Sequence, residues 1–143
     1  ADPFVENASV SVEVGNQSID VSIDMVSKDD LLAKADYISL HVPMPKDGAV
    51  IGEAEFGKMK DGVRIVNAAR GGVINEDDLL EALNNGKVAA CALDVFVGEP
   101  SPREDVLAHE KIALTPHVGA ATVEAQDRIG TELASQIIDF YKV

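Results

Sequence analysis

Four short apolar runs, with helix-opening chemistry ahead of the first and between the rest, constrain the fold of this chain more than any other feature. They are "YISLHV" (37–42), "VRIVNAA" (63–69), "VAACALDVF" (88–96) and "KIALTP" (111–116). Runs of this kind, rich in Val and Ile and without strict alternation, suit strands buried on both faces of a parallel sheet. The segments around them read as helices. "SKDDLLAKA" (27–35) opens with Ser-x-x-Asp, a capping-box pattern. "NEDDLLEALNNG" (75–86) offers Asn75 as N-cap, acids in the first turn that favour the positive end of the helix dipole, and Gly86 as a stop. "GEAEFGKMKDG" (52–62) is a weaker helix interrupted by Gly57. The last segment, 122–141, carries Ala125, Ile129, Leu133, Ile137 and Tyr141 four apart, which predicts a helix with one stripe against a core. Alternation of strand and helix predicts an α/β fold with right-handed crossovers, its four strands parallel and in sequential order.

Residues 1–26 follow another pattern. "ASVSVEVGNQSIDVSIDMVS" alternates apolar and polar on both sides of Gly15-Asn16-Gln17, which predicts an antiparallel hairpin with one wet face. The chain therefore divides at 26/27 into a hairpin-like segment (1–26) and an α/β unit (27–143).

Composition narrows the functional classes. With 12 Lys plus Arg against 25 Asp plus Glu, the net charge of −13 repels nucleic acid and anionic membrane, and no basic stripe offsets it. No run approaches the ~20 apolar residues of a membrane span. The single cysteine, Cys91, lies inside an apolar run and reads as a small buried hydrophobe of a reducing, cytoplasmic compartment, with no disulfide or metal pattern available.

In open α/β sheets, ligands bind beyond the carboxyl ends of the strands. Those ends are the loops "HVPMP" (41–45), "NAARGG" (67–72), "DVFVGEP" (94–100) and "TPHVG" (115–119), which bring Arg70, Asp94, Glu99 and His117 to one edge. Each residue alone has an ordinary explanation. His117, one of three histidines with His41 and His109, fits a satisfied ring at a core edge; Arg70 fits a surface ion pair, Glu99 a solvated loop and Asp94 a turn cap. As a set they suit hydride exchange at a hydroxyl-bearing carbon beside a carboxylate. Arg70 can hold the carboxylate through its planar fork. His117 can take the hydroxyl proton. Glu99 can bond the far ring nitrogen, fixing the tautomer and favouring the imidazolium. Hydride itself calls for a nicotinamide, because no side chain carries it.

Three blocks, "VNAARGGVINEDDLLEAL", "ALDVFVGEP" and "LTPHVGAATVEAQ", resemble the signature blocks of the D-isomer-specific 2-hydroxyacid dehydrogenases, a resemblance covering about residues 27–143. It implies part of a doubly wound, Rossmann-like parallel sheet in a three-layer αβα arrangement, and NAD as cofactor. It gives substrate binding to Arg70, orientation of the histidine to Glu99 and acid/base work to His117. It places Asp94 on the nicotinamide amide, and His41, Val42, Pro43, Ala68, Ala69 and Gly119 along the cofactor. The blocks are most similar to those of members that oxidise 3-phosphoglycerate to 3-phosphohydroxypyruvate on the way to serine; glycerate, hydroxypyruvate, glyoxylate and lactate are the alternative substrates. In another class, the family includes NAD-sensing corepressor-like binding proteins. The resemblance also implies a homodimer.

The chain departs from the family pattern in one respect: it holds no G-x-G-x-x-G, whose glycines let backbone approach a pyrophosphate. Ala1-Asp2-Pro3-Phe4 resembles the segment after the family's second strand, where the aspartate binds the adenosine ribose. On that reading the first βαβ unit and the substrate domain lie outside this sequence. The chain alone is then expected to be inactive and to bind NAD weakly or not at all, with the hairpin masking the open sheet or joining two copies.

Overall fold

The computed structural model describes residues 1–143 apart from Pro3, Glu6, Pro45, Asp47, Ala120, Lys142 and Val143. In chain order the elements are β1 (Asn7–Val14), β2 (Gln17–Asp24), α1 (Lys28–Lys34), β3 (Tyr37–Leu40), α2 (Glu53–Lys58), β4 (Val63–Asn67), α3 (Glu76–Asn84), β5 (Val88–Leu93), α4 (Glu104–Leu107), β6 (Ile112–Leu114) and α5 (Val123–Tyr141). The caps read from sequence are in place. The Ser27 hydroxyl accepts the Asp30 N–H, and the Asn75 side chain accepts the N–H groups of Asp77 and Asp78.

Strands β3, β4, β5 and β6 pair in that order, all parallel, as the alternation predicts. The strands are shorter than the apolar runs. β3 stops at Leu40, ahead of Pro43, which has no N–H to give a ladder; β6 stops at Leu114, ahead of Pro116. The successive crossovers run the same way across the sheet, so a single handedness sets α2, α3 and α4 on one face. The core lies beneath them: Leu32, Ile65, Val73, Leu79, Leu83, Val88 and Val106 are each at most 1% exposed. A fully buried Leu or Val contributes roughly 1.5–3 kcal/mol, so this cluster is the main source of stability.

Burial of the strands on both faces is not met in β3, β4 or β6, in the last of which Ala113 and Leu114 are exposed. Ile38, Leu40, Val63 and Ile65 face the core, while Tyr37, Ser39, Arg64 and Val66 are exposed on the other side. The third layer of an αβα arrangement is not packed here, because α5 buries none of its side chains. The stripe predicted to face a core is solvent-exposed instead: Ile129, Leu133 and Ile137 are 50–55% exposed. The hairpin forms as expected, with Ala8 opposite Ile23, Val10 opposite Val21 and Val12 opposite Ile19 on one face. It does not mask the sheet. All of β2 is exposed, and the hairpin gives no residue to the core cluster. Among the described residues no helix is long and apolar enough to cross a membrane.

Candidate active site

The loops that leave the carboxyl ends of β4, β5 and β6 are bound to one another. Asn67, the last residue of β4, is 2% exposed. Its Oδ1 accepts the Ala69 N–H (3.1 Å) and its Nδ2 donates to the Arg70 carbonyl (3.1 Å), which folds "NAARGG" back on itself. The Asn67 carbonyl accepts the Asp94 N–H (2.9 Å), tying this loop to the next. Gly71 then lies against the backbone at Phe96, where a Cβ would stand 1.9 Å from the carbonyl oxygen.

Asp94, after β5, is a buried carboxylate that grips the histidine loop. Oδ1 accepts the Thr115 hydroxyl (2.6 Å) and the Val118 N–H (2.9 Å), and Oδ2 accepts the Gly119 N–H (2.9 Å). The Thr115 hydroxyl, aided by the two backbone donors, holds the Asp94 carboxyl below the usual range despite its burial. Between these anchors sits His117 with φ 54, the one non-glycine with positive φ among the described residues. A left-handed non-glycine costs on the order of 1–3 kcal/mol and persists only where its surroundings fix it. Here bonds at 115, 118 and 119 fix it from both sides.

Glu99 holds the ring. Its Oε1 accepts the Phe96 N–H (2.8 Å) and its Oε2 meets His117 Nδ1 at 2.7 Å. The bond to His117 comes first and the Phe96 N–H second in keeping the Glu99 carboxyl below its ordinary range. An ionised carboxylate only accepts, so Nδ1 carries the hydrogen and Nε2 is the position that takes or gives a proton. A mostly apolar cavity of about 440 Å³ lies beside the pair, lined by Phe96, Pro100, Leu107, Leu114 and Pro116 as well as the pair itself.

The remaining predicted residues divide into those that join this cluster and those that do not. Gly119 joins it and sits close to the carboxylate: a Cβ there would lie 3.1 Å from Asp94 Oδ2, a tight contact. Ala69 is buried under the turn, while Ala68 and Arg70 are exposed. Arg70 Nη1 donates to the Ala69 carbonyl (2.6 Å) and not to the pair. His41 Nε2 bonds Ser39 Oγ (2.7 Å), Val42 packs on the edge of the core, and Pro43 is exposed. Asp2 Oδ1 accepts the Phe4 N–H (2.8 Å) and is exposed. Two residues that shape the site were not singled out in the sequence, Asn67 and Thr115. Each is a polar residue closing an apolar run, which is the signal that marks them.

Comparison with known proteins agrees with this geometry. Residues 7–119 match the model of the D-isomer specific 2-hydroxyacid dehydrogenase, NAD binding domain, a span that includes the hairpin. The D-3-phosphoglycerate dehydrogenase of Archaeoglobus fulgidus is 45% identical over 143 residues, covering 99% of this chain and 26% of that protein. A crystal structure of a glyoxylate reductase from Paecilomyes thermophila superimposes with a TM-score of 0.70 at 44% identity, over 74% of this chain and 33% of that one. The D-lactate dehydrogenase of Aquifex aeolicus, solved with NAD and lactic acid, gives 0.67 at 33% identity, over 82% and 40%. The chain spans about a fifth to a quarter of the length of the curated relatives it matches first. On the match over residues 7–119 and these identities, the chain belongs to the D-isomer specific 2-hydroxyacid dehydrogenases, as part of their NAD binding domain.

Proposed function

We propose that the whole protein is an NAD-dependent oxidoreductase that converts 3-phosphoglycerate to 3-phosphohydroxypyruvate, and that this chain supplies its proton-transfer pair. The observation that carries the reading is the 2.7 Å contact between Glu99 and His117 at the carboxyl edge of the sheet. With Nδ1 committed to Glu99, His117 Nε2 takes the proton from the substrate hydroxyl and returns it in reduction. Glu99 stabilises the imidazolium that forms. Arg70 binds the substrate carboxylate. Turning there exchanges one bond to a neutral carbonyl for a charge-assisted, bidentate pair, which is the stronger interaction.

The residues present fit the nicotinamide end of NAD, which when bound supplies the hydride acceptor. Asp94 Oδ2 accepts a single N–H and has a lone pair left for an amide donor, beside a glycine that leaves the approach open. His41, Val42, Pro43, Ala68 and Ala69 line the same edge, and Asp2 holds ribose hydroxyls and disfavours a 2′-phosphate by like charge. No G-x-G-x-x-G lies in the 143 residues, so this chain alone binds NAD weakly and turns nothing over. Residues 1–26 are a hairpin-like N-terminal segment, and 27–143 form the C-terminal part of the NAD-binding domain. The whole protein is a homodimer, to which the apolar faces of the hairpin and α5 offer surface. It works in the cytoplasm, in keeping with a buried free Cys91 whose thiol burial pushes up to about 12.

A second substrate reading rests on the glyoxylate reductase likeness at 44% identity. Steady-state assays of the whole protein with 3-phosphoglycerate, glycerate and lactate plus NAD, and with glyoxylate and hydroxypyruvate plus NADH, separate them. The largest kcat/KM is expected for 3-phosphoglycerate. A larger value for glyoxylate would assign the second reading, and no turnover with any of them would refute both.

A further inference from the structure

Glu76 lies outside the residues that the proposed reaction uses. It opens α3 and is 8% exposed, one of two acidic side chains, with Asp94, buried among the described residues. Its Oε1 accepts the Val97 N–H at 2.9 Å. Its Oε2 is buried with no hydrogen-bond partner among the described residues. Leaving a carboxyl oxygen dry and unpaired is costly, so a position serving only the core is better filled by an apolar side chain.

The bond Glu76 does make explains its presence. Val97 follows Phe96, whose N–H holds Glu99 Oε1, and precedes Glu99 by two residues. Past Glu99, Arg103 Nη1 pairs with Asp77 at 2.6 Å. Two consecutive residues of α3 thus hold the loop on both sides of Glu99. The Asp77 contact is exposed and worth little on its own, whereas the Glu76 contact is part-buried, made by a side chain that is itself buried. From another direction Gly71 presses on the Phe96 carbonyl.

We infer that Glu76 is a positioning residue: by holding the Val97 N–H it sets residues 96–99 where Glu99 can span the Phe96 N–H and His117 Nδ1. In its kinetic consequence this rests on the hydroxyacid dehydrogenase reading; in its structural consequence it does not. The two are tested together in the whole protein with Glu76→Gln, which keeps a carbonyl acceptor, and Glu76→Met, which keeps volume and helix propensity without one. Amide exchange at Phe96 and Val97 is expected to stay slow in native protein and in Glu76→Gln, and to become fast in Glu76→Met. In turnover, Glu76→Gln is expected to match the native enzyme, and Glu76→Met to lower kcat about tenfold with KM for NAD unchanged. Added to Glu99→Gln, Glu76→Met is expected to cost at most about twofold more, because it acts through Glu99. Fully additive losses, native exchange in Glu76→Met, or a Val97 amide that exchanges freely in Glu76→Gln would each overturn the inference. The last of these stands even if Glu76→Met does not fold. Absence of turnover in native protein with slow Val97 exchange intact would instead refute the dehydrogenase reading and leave the positioning contact standing.

Discussion

Gly71→Ala tests how tightly the turn that carries Arg70 is built onto the loop that carries Glu99. The φ of Gly71 is not in the left-handed region, so the requirement is space rather than conformation. An added Cβ would meet the Phe96 carbonyl oxygen at 1.9 Å, the Phe96 carbonyl carbon at 2.4 Å and the Val97 nitrogen at 3.0 Å, where ordinary contact begins at 3.4 Å. The shortfall at the oxygen is about 1.5 Å, and the obstacle is a peptide group that cannot rotate away as a side chain would. An extra methylene in a well-packed site typically costs ~1–3 kcal/mol, and a backbone obstacle sets the expectation at about 3 kcal/mol or above. For a domain of this size that is a fall in Tm of about 10 °C. The displaced peptide carries the Val97 N–H that bonds Glu76 and adjoins the peptide whose Phe96 N–H bonds Glu99, so kcat is expected to fall as well, about tenfold or more, at temperatures well below unfolding. Circular-dichroism melting with turnover measured in parallel, both on the whole protein, is the assay. Gly57→Ala is the control. It sits within α2 with nothing within 4 Å of its would-be Cβ, and is expected to stabilise by about 0.5–1 kcal/mol. A Gly71→Ala protein with native Tm and native kcat would refute the steric argument.

Thr115→Val removes the donor that contributes most to the lowered Asp94 carboxyl. Because that carboxyl is depressed, its grip on Val118 and Gly119 is present above the ordinary value of 3.8 and is lost as pH falls through the lower folded value. The variant is expected to bring the Asp94 midpoint up toward 3.8 in a carboxyl-carbon NMR titration, and an unmoved midpoint would contradict the assignment. Asp2→Ala in the whole protein is expected to narrow the preference for NAD over NADP, read as the ratio of kcat/KM values; equal use of both cofactors by the native protein would remove Asp2 from that role.

The parts of the fold legible in the sequence are those set by local chemistry. Ser27 and Asn75 cap their helices as their positions imply, and the four apolar runs become four parallel strands. The runs 37–42 and 111–116 extend past the strand ends because the pattern carries on up to a proline that the ladder stops short of, at Pro43 and Pro116. α4 escaped because four residues show no periodicity. The stripe on α5 shows that the limit is not only one of length. Ile129, Leu133 and Ile137 report a face that suits a partner, and spacing alone does not say whether this chain supplies one. In the site, residue types were legible and their connections were not. The hydrogen bonds of Asp94 to Thr115, Val118 and Gly119, and the seat of Gly71 on Phe96, join residues 21 or more positions apart and leave no local trace. Chemistry alone suggested the Glu99–His117 pair; the resting bond of Arg70 to Ala69 depended on a rotamer no sequence specifies.

The most direct measurement is steady-state turnover of the whole protein and its His117→Ala variant with 3-phosphoglycerate and NAD, followed by the absorbance of reduced nicotinamide. The expected result is robust native turnover and a fall in kcat of about 10²–10⁴-fold in the variant, with KM for NAD little changed, as the role proposed for the ring, moving a proton and not holding the cofactor, requires. Near-native kcat in His117→Ala would contradict the assignment of the Glu99–His117 pair as the proton-transfer device.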